Sequence, residues 1–92
     1  MAVIVIHDIP GGTPEMMEGA RQAGIIDKLK AAPGFKGHWS GPTDSGYRVI
    51  ERWESPDDWR AWYNSMVKPN MPPGVEAAEP TFIDLAEVIE PS

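Results

Sequence analysis

Residues 35–59 read FKGHWSGPTDSGYRVIERWESPDDW, and the order of signals within them decides the fold. Phe35 to Ser40 is a short run with strand character. Gly41 to Gly46, GPTDSG, is dense in turn formers with a glycine at each end, and it predicts a hairpin turn. Tyr47 to Glu54 is a second strand. Its bulky residues fall on both faces, with Tyr47, Val49 and Trp53 alternating with Ile50. Ser55-Pro56-Asp57-Asp58 then opens a helix. Serine is the cap, proline takes the first helical position and an acid stands three residues after the cap, close to a capping box. The helix places Trp59, Trp62, Tyr63 and Met66 at i, i+3, i+4 and i+7, which is one face. Pro69 stops it.

Toward the N-terminus, Pro33-Gly34 ends a helix that starts at Thr13-Pro14-Glu15, again with cap, proline and first-turn acid. The helix is expected to run to about Ala32. Its apolar stripe is clean only late, at Ile25, Ile26, Leu29 and Ala32, while Met16, Met17 and Ala20 leave the early phase ambiguous. Residues 2–9, AVIVIHDI, are apolar and β-branched on consecutive positions, so a strand buried on both faces is expected. Pro10-Gly11-Gly12 breaks it. Toward the C-terminus, residues 69–80 form a proline-rich loop and residues 81–89, TFIDLAEVI, a last strand. The order is β-α-β-β-α-β, the ferredoxin-like split βαβ pattern in one α+β domain spanning 1–92, with an antiparallel sheet. Two helices cover one face of a four-stranded sheet. The other face carries apolar residues too, so a second copy of the chain is the expected cover.

Composition narrows the function classes. The 92 residues contain no cysteine and carry a net charge of −6, with acids spread along the chain. Disulfides and thiolate metal sites are excluded. An acidic chain does not suit a nucleic-acid backbone. The start, MAVIVIHDIPGG, has no basic stretch, and its apolar run is too short for a signal peptide or a membrane span. A cytoplasmic homodimer is expected, with no nucleic-acid or membrane partner. Two histidines on separate strands have no metal-ligand spacing. Gly11-Gly12 lacks the dinucleotide fingerprint, and no serine sits in a nucleophile elbow. Bound metal, flavin or nicotinamide is therefore not expected.

The PGF that opens the second strand, the GPT…GYR hairpin, and the strand ending W-E-S before the helix resemble the dimeric α+β barrel superfamily, and most of all its antibiotic-biosynthesis-monooxygenase-type members. The resemblance covers roughly residues 2–67 and the last strand. It implies a pair of subunits forming a dimeric barrel. It also implies a chassis that serves cofactor-free oxygenases, haem-degrading enzymes, isomerases and lyases. The haem-degrading branch has a polar pocket residue late in the first strand, a tryptophan in the second helix, and an iron-ligating histidine about ten residues further on. Here His7 and Trp62 take the first two places. Pro72 takes the third and cannot ligate iron, so the resemblance implies a pocket without that cofactor.

Candidate site residues follow. His7 shares a strand face with Val3 and Val5, and the resemblance puts that position on the pocket side. An imidazole titrates near neutrality, as a general base must, although a lone strand histidine also serves as a hydrogen-bonded core residue. Asp8 points to the opposite face and is not its partner. The stripe Trp59, Trp62, Tyr63 and Met66 either docks the helix on the sheet or lines a cavity. Trp53 and Trp59 read as core and Trp62 as the wall, with Ala20, Ala23 and Gly24 leaving room opposite. His38 shares a side with Lys36 and Ser40, which reads as partly exposed. Arg48 and Arg52 share a face and suit either a substrate anion or a salt bridge with Glu54 or a partner subunit. Asn64 and Asn70 lie near the helix end, and either suits a ligand oxygen. Two functions of different class are consistent with these residues. One is a cofactor-free enzyme acting on a small aromatic or polyketide-like molecule, with His7 as base, Trp62 as wall and Asn64 or Arg48 holding the anion. The other is a non-catalytic homodimer that binds a small ligand or is only structural.

Overall fold

Strand β1 (Val3–Pro10) buries every second residue: Val3, Val5, His7 and Ile9 are buried, while Ile4, Ile6 and Asp8 are half-buried. The computed structural model describes residues 2–75 and 77–91. β1 is central in a four-stranded sheet of order β2-β3-β1-β4, in which β2 is Phe35–Thr43, β3 is Gly46–Trp53 and β4 is Thr81–Asp84. All neighbours are antiparallel. The β1–β3 register sets Val3 opposite Trp53, Val5 opposite Glu51, His7 opposite Val49 and Ile9 opposite Tyr47. Because side chains alternate, these eight residues share one face. That face is the one the helices cover.

Three boundaries differ from expectation, each for a local reason. The first helix is two: α1 (Pro14–Gln22) and α2 (Ile25–Lys30), with Gly24 between them at φ 79°. A left-handed residue cannot continue a helix, and only glycine adopts it without strain. The break resets the helical phase, which is why no single stripe fitted residues 14–32. The hairpin is also tighter than GPTDSG. β2 runs through Pro42 and Thr43, which face Tyr47 and Gly46, leaving Asp44-Ser45 as the loop. Proline is tolerated because β2 is an edge strand, where a ladder donor is not needed on the outer side. Finally, β4 ends at Asp84 rather than Ile89. Asp84 already faces Val3, the first residue of β1. After one more bond, from Leu85 N–H to the Ala2 carbonyl, the partner strand has run out.

Helix α3 (Pro56–Trp62) starts as its cap predicts, with Ser55 Oγ accepting the Asp58 N–H at 3.1 Å. It continues through a wide π turn, Tyr63–Val67, and a 3₁₀ turn, Lys68–Asn70. The core is one cluster of Val3, Val5, Leu29, Trp53, Trp59 and Trp62, with Phe35, Ile25 and Phe82 packed against it. Among the described residues no helix covers the opposite sheet face. Trp39 is 57% exposed and Ile83 is 48% exposed there, beside half-buried Ile4, Ile6 and Ile50. No helix among the described residues is long and apolar enough to cross a membrane.

Candidate functional site

His7 is the one imidazole in β1's buried row, and at 5% exposure it is nearly sealed from bulk water. Its ring meets Trp59 edge-on at 5.3 Å and Tyr63 edge-on at 5.2 Å between centroids. Those two rings sit one helical turn apart and stack on each other at 4.9 Å. Two rings therefore fix the imidazole's orientation. Burial holds the His7 pKa below that of an ordinary imidazole; the backbone of Ala78 and the carboxylates of Glu51, Asp8 and Glu79 pull the other way without cancelling it. Its ordinary value is about 6.5, so at pH 7 the ring is neutral and has a lone pair for a proton.

A second polar group lies on the same face. Glu51 is 5% exposed, and both its oxygens are engaged. The Trp53 indole N–H donates to Oε1 at 3.0 Å, and His38 Nδ1 lies 2.6 Å from Oε2. His38 Nε2 is 2.9 Å from Ser40 Oγ, which is 3.2 Å from the Tyr47 hydroxyl. A bulge between Phe35 and Gly37 brings this about, because it shifts the β2 register. Phe35 and His38, three apart in sequence, then both face the helices. Phe35 packs edge-on against Trp53 at 5.4 Å.

Between this face and the helices lies a cavity of about 510 Å³, open on one side and mostly apolar. That is the volume of one small multi-ring molecule. His7, His38 and Glu51 provide its polar wall, and Trp59, Trp62 and Tyr63 its aromatic wall. Small residues Gly19, Ala20 and Ala23 on the first helical layer leave the space open. Met16, Met17, Met66 and Met71 also line it, giving a polarizable surface that adapts to flat ligands. Two carboxylates, Glu15 and Glu51, reach the cavity, whereas no lysine or arginine does among the described residues.

Of the residues singled out from the sequence, His7, His38, Trp59, Trp62, Tyr63 and Met66 come together at this cavity. Arg48 and Asn64 do not. Arg48 faces Asp8 across the β1–β3 register on the uncovered side, where Nε and Nη2 donate to the two carboxylate oxygens at 2.6 and 3.1 Å. Strand alternation keeps it from the cavity. Asn64 lies on the exposed side of the π turn. Asn70 does reach the cavity, but its amide is already donating to the Met66 carbonyl at 2.7 Å. Trp59 is both core and wall, and so is Trp62. Arg52, paired at 3.7 Å with Glu90, also stays on the uncovered side.

Glu51 was missed from the sequence although its signal was present. It falls in the alternation Tyr47, Val49, Glu51, Trp53, and a carboxylate in an apolar row is either paired or functional. The cavity methionines on α1 carried no such signal, because the helix break was not anticipated.

The position expected to hold an iron ligand does not fit haem. Pro72, at the place of the expected ligand, lines the cavity without a donor atom for iron. No lysine or arginine among the described lining residues is there to pair with a porphyrin's propionates, and Glu15 and Glu51 add negative charge to the lining.

No family model matches the chain. No curated protein matches it either. Solved structures do match along nearly the whole length. A haem-degrading protein from Mycobacterium tuberculosis superposes with a TM-score of 0.63 at 23% identity, covering 98% of this chain and 100% of that one. SnoaB from Streptomyces nogalater, a cofactor-independent oxygenase, gives 0.61 at 17% identity, with 96% of each chain covered. The ActVA-Orf6 monooxygenase of Streptomyces coelicolor, solved in complex with nanaomycin D, gives 0.53 at 18% identity over 99% and 92%. The chain has the ferredoxin-like α+β fold of these proteins.

Proposed function

We propose that the protein is a cofactor-independent oxygenase acting on a small, flat, uncharged hydroxyaromatic or polyketide-like molecule, with His7 as its general base. The observation that carries this reading is the placement of a neutral, ring-clamped imidazole in the wall of an apolar cavity sized for one such molecule. The fold shared with SnoaB and ActVA-Orf6 is consistent with it. A substrate hydroxyl gives its proton to His7, a step that supplies roughly 10²–10⁴-fold in rate. The resulting anion lies against the imidazolium that its own proton created. Neither Arg48 nor Asn64 takes part. In an apolar site the anion is weakly solvated and electron-rich enough to reduce O2. One oxygen atom enters the ring as a quinone carbonyl, and the other leaves as water. The absence of lysine and arginine from the described lining favours uncharged substrates over carboxylates.

The same reading takes the uncovered sheet face, with Trp39, Ile50 and Ile83, as the seat of a second copy. Apolar area left in water costs about 25 cal/mol per Å².

The test is oxygen consumption and product analysis with a panel of hydroxynaphthalenes and anthrones, on wild type and His7→Ala. Turnover in wild type and its loss in a folded His7→Ala protein is the expected result. Undiminished turnover in the variant removes His7 as base. Binding across the panel without turnover makes the protein a non-catalytic ligand binder.

A further inference from the structure

The hydrogen-bond chain beside the cavity contains more than burial of Glu51 requires. The Trp53 indole and His38 already engage both oxygens of that carboxylate. The Ser40 and Tyr47 hydroxyls beyond them are not needed for it, and Ser40 lies where water would satisfy the outer imidazole nitrogen equally well. We propose that Ser40, His38 and Glu51 form a second reactive centre, in which Ser40 Oγ accepts the acyl group of small activated carboxylic esters.

Three distances carry the geometry. Glu51 Oε2 to His38 Nδ1 is 2.6 Å, His38 Nε2 to Ser40 Oγ is 2.9 Å, and Ser40 Oγ to the Tyr47 hydroxyl is 3.2 Å. A carboxylate only accepts, so the tautomer that fits these contacts carries its proton on Nδ1. Nε2 is then a lone pair aimed at the serine, and the serine O–H donates to it. Tyr47 donates to the serine oxygen from the other side. This is the nucleophile, base and orienting carboxylate arrangement, which is recognised by geometry and not by chain order. It stands on two paired strands with His38 directly opposite Glu51. The serine is exposed, so an ester reaches it without entering the cavity, while Glu51 is buried and fixed.

The step balances without a co-reactant. Ser40 Oγ forms a bond to the ester carbonyl carbon and passes its proton to His38 Nε2. At this exposed serine the carbonyl oxygen that gains charge is met by solvent. The carbon–oxygen bond to the leaving group breaks, and the leaving alcohol takes the proton from His38. Water repeats the sequence on the acyl-serine and releases the carboxylic acid. Ser40 and His38 touch the reacting atoms; Glu51 is a positioning residue.

The probe is p-nitrophenyl acetate on the intact protein, read by p-nitrophenolate release and by peptide mapping of the acetyl group. Acetylation at Ser40 is expected, with a rate that falls about 10²-fold in Ser40→Ala and in His38→Gln. Ser40→Ala alters an exposed side chain, so an unchanged melting temperature is expected with it. Glu51→Gln should lose most of the rate, and Glu51→Asp, which restores a carboxylate, should recover part of it; a purely structural role would not separate the two at equal foldedness. No acetylation above the buffer rate, an equal rate in folded Ser40→Ala, or acetyl found only on lysine or tyrosine would overturn the proposal.

Discussion

The two faces of one sheet obey opposite rules, although their residues alternate along the same strands. On the covered face the polar residues are the informative ones. His7 and Glu51 are buried among Val3, Val5 and Trp53, and each has its orientation set by aromatic neighbours or hydrogen bonds. On the uncovered face the apolar residues are informative. Ile4, Ile6, Ile50, Trp39 and Ile83 sit beside an exposed Asp8–Arg48 pair. A buried polar group has to be satisfied or used, and a large exposed apolar set marks a contact surface. The proposed function accordingly assigns chemistry to the helix side and association to the bare side.

Trp53→Ala should give the largest effect. Trp53 is fully buried and donates to Glu51. The substitution should cost about 3–5 kcal/mol, a large part of the total for a domain of this size. Calorimetry should show a protein that barely folds. If the melt is near wild type, the covered face does not depend on that anchor.

Ile6→Lys acts on the other face. It should leave the helix-side cavity intact and weaken self-association by roughly thirty-fold or more, the effect of about 2 kcal/mol at the centre of an interface. Sedimentation measures this. A wild-type protein that is monomeric at micromolar concentration breaks the comparison at its bare side.

The pH dependence is smaller, and its sign is fixed. The folded pKa of His7 lies below the ordinary value. Between the two values the unfolded chain binds the extra proton, so stability rises with pH across that window. Acidifying below about pH 6.5 should therefore lower the melting temperature, and less so in His7→Phe. Activity that relies on neutral His7 should show an acid limb below about pH 6.5 for the same reason. A limb above that value would contradict the direction of the shift.

Arg48→Ala should do least. The pair with Asp8 is exposed, and solvent screens it. Turnover should stay at the wild-type level and the melting temperature should barely move. A large loss of activity would mean that the bare face reaches the chemistry after all.

Much of this was legible in the chain. The helix start at Thr13, whose side chain makes no capping bond, the cap at Ser55, the hairpin signal and the β-α-β-β-α-β order describe local physics, and local physics is written in neighbouring residues. The aromatic stripe and His7 were legible through period, because 3.6 and 2 fix which residues share a face. Arg48 shows where that reasoning failed. Its chemistry suited an anion, but its face is set by register against Asp8.

Taken alone, the sequence determined the element order, the strand phase of His7 and the helical phase of Trp59, Trp62, Tyr63 and Met66. Each depends only on residues a few positions away. Tertiary structure alone decided that Gly24 splits the first helix, that β4 stops where β1 begins, and that a bulge turns His38 toward Glu51. It also decided that the cavity is lined by methionines and carboxylates, with no lysine or arginine among the described residues. These features depend on register and on distances between residues far apart in the chain, and they are fixed only when the strands pair and the helices settle on them.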